Sequence, residues 1–103
     1  MRSMIVHIVF WRLHEEAGGR SKAGNALEMK RRFEALRPLM TGLLRLDVGI
    51  DFAATDQSSD VALYTEFESR AALDAYQKHP AHAEIVAFIK DLRSERRVVD
   101  YEL

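Results

Sequence analysis

The sequence contains no cysteine. That excludes disulfides, thiolate nucleophiles, zinc–thiolate sites and iron–sulfur clusters at once. It fits a reducing compartment, and a cytoplasmic location is expected. Neither sign of charge is in excess, because 15 Lys and Arg against 16 Asp and Glu leave a net charge of −1. A nucleic-acid-binding face normally needs a Lys/Arg surplus, and a polybasic anchor needs a cluster of them. Neither nucleic acid nor membrane is therefore an expected partner. No long hydrophobic run is present either. The longest apolar stretch, Met4 to Trp11, is interrupted by His7, whereas a membrane helix needs ~20 apolar residues. Arg12, Leu13, His14, Glu15 and Glu16 follow where a signal peptide would place a small-residue cleavage site. There is no internal repeat and no low-complexity block. What remains is a chain of 103 residues, 48% apolar, read as one domain over residues 1–103 with a real core. Met4 is an alternative start, which would make residues 1–3 an extension.

Six elements emerge from the patterning. Met4–Leu13 is rich in β-branched and aromatic residues and reads as a strand. Its odd face carries Ile5, His7, Val9, Trp11 and Leu13, its even face Met4, Val6, Ile8 and Phe10. Both faces are apolar, so the strand is expected at the centre of a sheet, covered on both sides. A polar loop, Glu15–Arg20, leads to a helix starting at about Ser21 or Asn25. Its apolar stripe is Ala26, Met29, Phe33, Leu36 and Met40. Asn25 and Glu28 resemble a capping box, and Pro38 ends the helix near Arg37. Leu43–Phe52 alternates, with Leu44, Leu46, Val48, Ile50 and Phe52 on one face, and is expected as a half-buried edge strand. The small polar loop Ala53–Asp60 is expected to be mobile.

Val61–Glu68 is a third strand. Ser69 caps a helix over Arg70–Lys78, and Pro80 opens another that runs to about Leu92, with His79 at its cap. Ser94–Leu103 closes the chain as a strand. The order strand, helix, strand, strand, interrupted helix, strand is the α+β, ferredoxin-like βαββαβ plan on an antiparallel sheet. In that plan the helices cover one sheet face only. The apolar even face of the first strand would then meet water, at roughly 1.5–3 kcal/mol per large side chain. A second copy, packed sheet against sheet, resolves this, so a homodimer is expected.

Few residues outside the core can carry chemistry. His7 lies inside the apolar first strand, where a buried imidazole needs a hydrogen-bond partner. It is either a core histidine satisfied by a neighbour or a group lining a cavity. In the second half, Tyr76 lies three residues from Leu73, and His82, Val86 and Ile89 share a helical face, so Tyr76 and His82 are expected to point at the sheet. Val9, Trp11 and His79 would share that space. A neutral imidazole can take a proton and a tyrosine hydroxyl can stabilise an oxyanion, a set suited to proton abstraction beside a carbonyl. The same groups can equally tie the helix break to the sheet by hydrogen bonds. His79-x-x-His82 lacks a carboxylate at a recognised spacing, and no metal is expected. Gly18-Gly19 lacks the context of a phosphate loop, and no cofactor is expected. Arg93, Arg96 and Arg97, beside Asp91 and Glu95, read by default as a solvated face, with an anion-binding role as the alternative.

The order and spacing of several segments resemble the Dabb family, the stress-responsive dimeric alpha-beta barrel domain. They are Met4-Ile5-Val6-His7-Ile8-Val9-Phe10, Leu43-Leu44-Arg45-Leu46-Asp47-Val48-Gly49, Val61-Ala62-Leu63-Tyr64-Thr65-Glu66-Phe67, Ala75-Tyr76-Gln77-Lys78-His79-Pro80-Ala81-His82 and Val98-Val99-Asp100-Tyr101. The resemblance covers about residues 4–102 and implies a ferredoxin-like protomer in a dimeric barrel. It implies a non-enzymatic stress-response protein or a binder of a small apolar or aromatic ligand. A plant polyketide cyclase of this fold works without a cofactor, and its pattern matches His7, Tyr76 and His82 here. By that resemblance, His82 would be the base, Tyr76 the oxyanion donor and His7 a polar partner. The Y-x-x-H-P-x-H segment is a feature of the family at large and does not by itself mark a cyclase.

Overall fold

In the computed structural model, which describes residues 3–103, the β-branched run near the start becomes strand β1, Ile5–Leu13. Met1 and Arg2 lie outside the described residues, and with them the start of the expected 1–103 domain and most of the proposed 1–3 extension. A two-residue hairpin follows, β2 (Glu16–Ala17) and β3 (Arg20–Ser21). It occupies the segment expected as a loop. Gly18 and Gly19 make it possible, because both adopt positive φ, +61° and +79°, as a tight hairpin turn of this twist requires.

Helix α1 spans Lys22–Glu34, and Ser21 caps it by accepting the Gly24 N–H at 3.1 Å. The start at Ser21 is therefore the correct one of the two expected. Asn25 does not cap; it is buried, and its Nδ2 donates to the Ala17 carbonyl at 3.0 Å. Glu28 instead binds Arg31 and Arg32 one turn on. The α-helix ends at Glu34, before Arg37, and Pro38 lies in a 3₁₀ turn, Arg37–Leu39. The stripe Ala26, Met29, Phe33, Leu36, Met40 is buried throughout, as the periodicity predicts.

The remaining elements are β4 (Leu43–Ile50), β5 (Val61–Phe67), α2 (Arg70–Lys78), α3 (Pro80–Lys90) and β6 (Arg93–Glu102). The sheet order is β4-β5-β1-β6, antiparallel at every pair, so β1 and β5 are central. This is the ferredoxin-like α+β arrangement. The core gathers the odd residues of β1, the inner residues of β4 and β5, and the stripes of α1, α2 and α3.

Three expectations about faces are corrected. A register shift between Leu43 and Arg45 takes Leu44 out of alternation, so Leu44 is exposed. At the far end of β4, Ile50 is partly exposed and Phe52, past the strand, is 98% exposed. Only Leu46 and Val48 of the expected five-residue face are buried. On α3 the buried stripe is Ile85 and Ile89, continued by Leu92, while Val86 is 52% exposed and His82 half-buried. The helix is rotated by about one residue from the expected stripe. The loop 53–60 is also tied down more than expected. Asp60 accepts the Leu13 N–H at 2.7 Å and donates its own N–H to the Trp11 carbonyl at 2.7 Å, and Arg12 binds the Ser58 and Asp56 carbonyls.

The sheet face away from the helices carries Val6, Ile8 and Phe10 of β1, with Met4 just before the strand. Val6 is buried within the protomer, between Glu66 and Tyr101 across the two ladders. Met4 and Ile8 are partly buried and Phe10 is 38% exposed. Tyr64, Val99 and Tyr101 extend this face, and Arg45, Asp47, Glu66 and Arg97 rim it.

Candidate functional site

His7 stands mid-strand on the helix-facing side of β1, opposite Thr65 of β5 and Asp100 of β6. It is almost fully buried, and its Nδ1 is hydrogen-bonded to the Asp100 carboxylate. An ionised carboxylate only accepts, so Nδ1 carries the proton and Nε2 is the nitrogen left for other partners. Thr65 Oγ1 donates to the His7 carbonyl at 2.6 Å and fixes the strand from the other side. The sequence-level alternatives for His7 are thus both represented: a neighbour satisfies it, and it also faces a cavity.

Tyr76 lies in the last turn of α2, packed at a ring-centroid distance of 5.1 Å from Phe67, 6.2 Å from His7 and 4.5 Å from His82. Its hydroxyl is buried and has no hydrogen-bond partner among the described residues. Burial pushes its pKa up, against a smaller opposing pull from the Arg96 guanidinium, so the hydroxyl keeps its proton. His82 is in the first turn of α3. Its Nδ1 is likewise buried without a partner. Burial lowers its pKa, the Gln77 backbone pulls it back up, and the charge of Arg96 adds to the lowering. The ring is therefore a neutral imidazole at neutral pH, able to accept a proton.

His7 and His82 share a cavity of about 230 Å³ whose apolar walls are Val9, Trp11, Phe33, Leu63 and Ile89. Trp11 and Phe33 stack at 5.5 Å between centroids and form its aromatic side. Val9 and Trp11 thus stand where the sequence places them. Tyr76 touches His82 from behind and is not among the lining residues. His79 is not among them either, which corrects its placement in the pocket. Its Nδ1 accepts the Ala81 N–H at 3.0 Å and caps α3. Among the described residues, no group of three His, Asp or Glu side chains is placed to hold a metal ion.

Sequence reasoning did not place three polar residues in this region. Asp100 became visible only through the β1–β6 register. Arg93 and Arg96, read as a solvated face, line the cavity together with Gln77 and Val86. A larger depression of about 530 Å³ lies between Phe10, Ile50, Phe52 and the loop 57–60. It contains no histidine, and its carboxylates are engaged, Asp51 with the Ala54 N–H and Asp60 with the Leu13 N–H. The candidate site is therefore the smaller cavity. Among the described residues, no helix is long and apolar enough to cross a membrane.

The fold has close counterparts among solved structures. A dimeric protein of unknown function with a ferredoxin-like fold from Bacteroides fragilis superimposes with a TM-score of 0.86 at 26% identity, over 97% of this chain and 96% of that one. A Dabb family protein from Mesorhizobium loti matches with a TM-score of 0.66 at 24% identity, over 97% and 96%. A hydroxynitrile lyase from Passiflora edulis shares the fold, with a TM-score of 0.77 at 15% identity over 97% and 93%. No curated protein matches the chain. The sequence itself matches the Stress responsive A/B Barrel Domain, Dabb, over residues 5–103, and the chain belongs to that family.

Proposed function

We propose that this Dabb protein works as a homodimer and that each protomer's inner cavity binds a small apolar or aromatic ligand without a cofactor. One observation carries the binding reading. His7 and His82 open onto a cavity with apolar walls, which Gln77, Arg93 and Arg96 also line and so offer a ligand polar partners. The dimer is supported by the half-covered outer face around Ile8, Phe10 and Val99 and by the dimeric Bacteroides fragilis relative. A cytoplasmic location belongs to the same proposal and rests on the cysteine-free sequence.

The test is an NMR titration of the imidazole signals with a panel of aromatic and polyketide-like compounds. Binding in the cavity moves His7 and His82 together and changes the His82 pKa, while His79 stays put. Imidazoles that ignore every compound would overturn the reading and point instead to a packed structural interior.

The Tyr76 hydroxyl and His82 Nδ1, side by side and without hydrogen-bond partners among the described residues, favour a second reading, cofactor-free acid–base catalysis on a carbonyl compound. His82 acts as the base, the protonated Tyr76 hydroxyl steadies the developing oxyanion, and His7, oriented by Asp100, is the polar partner. A lyase of this fold is known by name from Passiflora edulis, which supports chemistry on such a scaffold without transferring any residue role. Deuterium exchange at the α-carbon of aryl ketones reads this directly. Exchange that exceeds buffer and disappears in His82→Gln supports catalysis; exchange at the buffer rate leaves binding alone.

A further inference from the structure

We infer that the ligand of the inner cavity is a small aromatic carboxylic acid, its ring against Trp11 and Phe33 and its carboxylate on Arg93 and Arg96. This rests on the binding reading above and names the chemistry of the ligand. The argument begins with strand register. Residues 93 and 96 are three apart, so in a regular strand their side chains would point to opposite faces. Strand β6 is not regular here. Arg12 pairs with Glu95 while Leu13 pairs with Arg93, so Ser94 is an extra residue in the ladder. That bulge returns Arg93 to the same side as Arg96, which stands opposite Trp11. Both guanidiniums therefore reach the helix-facing side, and both line the cavity.

Their lack of counter-ions is the second observation. The neighbouring carboxylate, Glu95, is held by Arg97 at 2.7 Å and by Arg12 at 3.7 Å. Asp100, the other carboxylate on the inner side of β6, is engaged by His7. Arg93 and Arg96 make no ion pair or hydrogen bond among the described residues. The other polar groups lining the cavity, Gln77 and the two histidines, bring no negative charge. Two free guanidiniums above an apolar floor match a planar carboxylate on an apolar body, which arginine binds through paired N–H donors. At about 230 Å³ the cavity lies below the ~300–1,000 Å³ usual for drug-sized ligands, so a single ring is the right scale.

The test is calorimetric titration with benzoate and with benzamide, which share ring and size and differ in charge. Benzoate binding about tenfold or more tighter than benzamide, and losing that margin in Arg96→Gln and in Arg93→Gln, supports the inference. The preference shrinks as sodium chloride is raised. Arg97→Gln, on the same strand but facing away, keeps wild-type binding and controls for folding and for overall charge. Equal affinity for the two compounds, or a benzoate preference that survives both substitutions, overturns the anion inference and leaves the cavity reading standing. No binding of either compound, with His7 and His82 also silent to neutral aromatics, overturns both.

Discussion

On the helix side of β1, Ile5, Val9, Trp11 and Leu13 are covered by the stripes of α1, α2 and α3, and the polar member, His7, is held by Asp100. On the other side of the same strand only Val6 is fully covered, while Ile8 is partly exposed and Phe10 more so. The two faces have similar composition and different fates. Three helices and their connections saturate one face within the protomer, even to the point of accommodating a histidine. The second face has only its cross-strand neighbours, and those reach far enough to cover one residue. A protein surface tolerates scattered apolar groups, but a continuous apolar sheet face marks an interaction site. The difference separates what a protomer can complete alone from what a second copy is proposed to complete.

That contrast is open to direct attack. The largest effect is expected on the inner face: Phe33→Ala removes a buried ring packed on Trp11 and should cost ~3–5 kcal/mol in denaturant unfolding. A cost no larger than that of Phe10→Ala, measured in dilute solution, would mean that the helix face is not the true core. Next comes the outer face. Ile8→Asp should halve the mass seen by sedimentation while leaving a folded chain, because a charge there opposes sheet-on-sheet packing. A folded dimer of this variant would show that the partner sits elsewhere.

A smaller effect is expected from Asp100→Asn, which weakens the hold on the buried His7 ring and should cost ~1–3 kcal/mol. The imidazole resonances of His7 should move as well; unchanged stability together with unchanged resonances would reduce Asp100 to a surface group. The smallest effect concerns pH. Burial lowers the pKa of His82 in the folded chain, so the unfolded chain binds the proton more readily. Its contribution is fully present above the unfolded value of about 6.5 and is lost as pH falls toward the lowered folded value. Urea midpoints at about pH 7.5 and about pH 5.5 should therefore differ less in His82→Gln than in the wild type. An equal difference in both would place His82 in water rather than beside Tyr76.

Much of the fold is legible in local pattern. The β-branched run of β1, the 3-4 spacing of α1 and the alternation of β5 each encode one face, and each face is observed. Ser69 and Pro80 mark helix starts because capping and a missing N–H are local needs. Errors fall where one residue changes the phase. The irregular pairing at Leu43–Arg45 exposes Leu44, and a rotation of α3 moves burial from Val86 to Ile85. Asn25 looked like a cap because its neighbours fit one, but a buried bond to Ala17, eight residues back, claims its side chain.

The candidate site divides along the same line. His7, Tyr76 and His82 could be named from sequence because each is a polar residue on an otherwise apolar face, and the fold sets the Tyr76 ring beside the rings of both histidines. Asp100 could not, since its role depends on which residue of β6 lies across from His7, 93 positions away in the chain. Arg93 was hidden by the bulge at Ser94, which no local pattern announces.

The sequence alone therefore determined the order of the main strands and helices, though not the short β2–β3 hairpin, and with it the central place of β1, the stripe that α1 buries and the apolar second face. Those follow from short-range periodicity and from the free energy of hiding apolar surface. Tertiary structure decided the ring partner of His7, the turning of Arg93 toward the cavity, the capping role of His79 and the unpartnered state of the Tyr76 hydroxyl. Those depend on register and bulges between distant strands, where a shift of a single residue carries a side chain to the other side of the sheet.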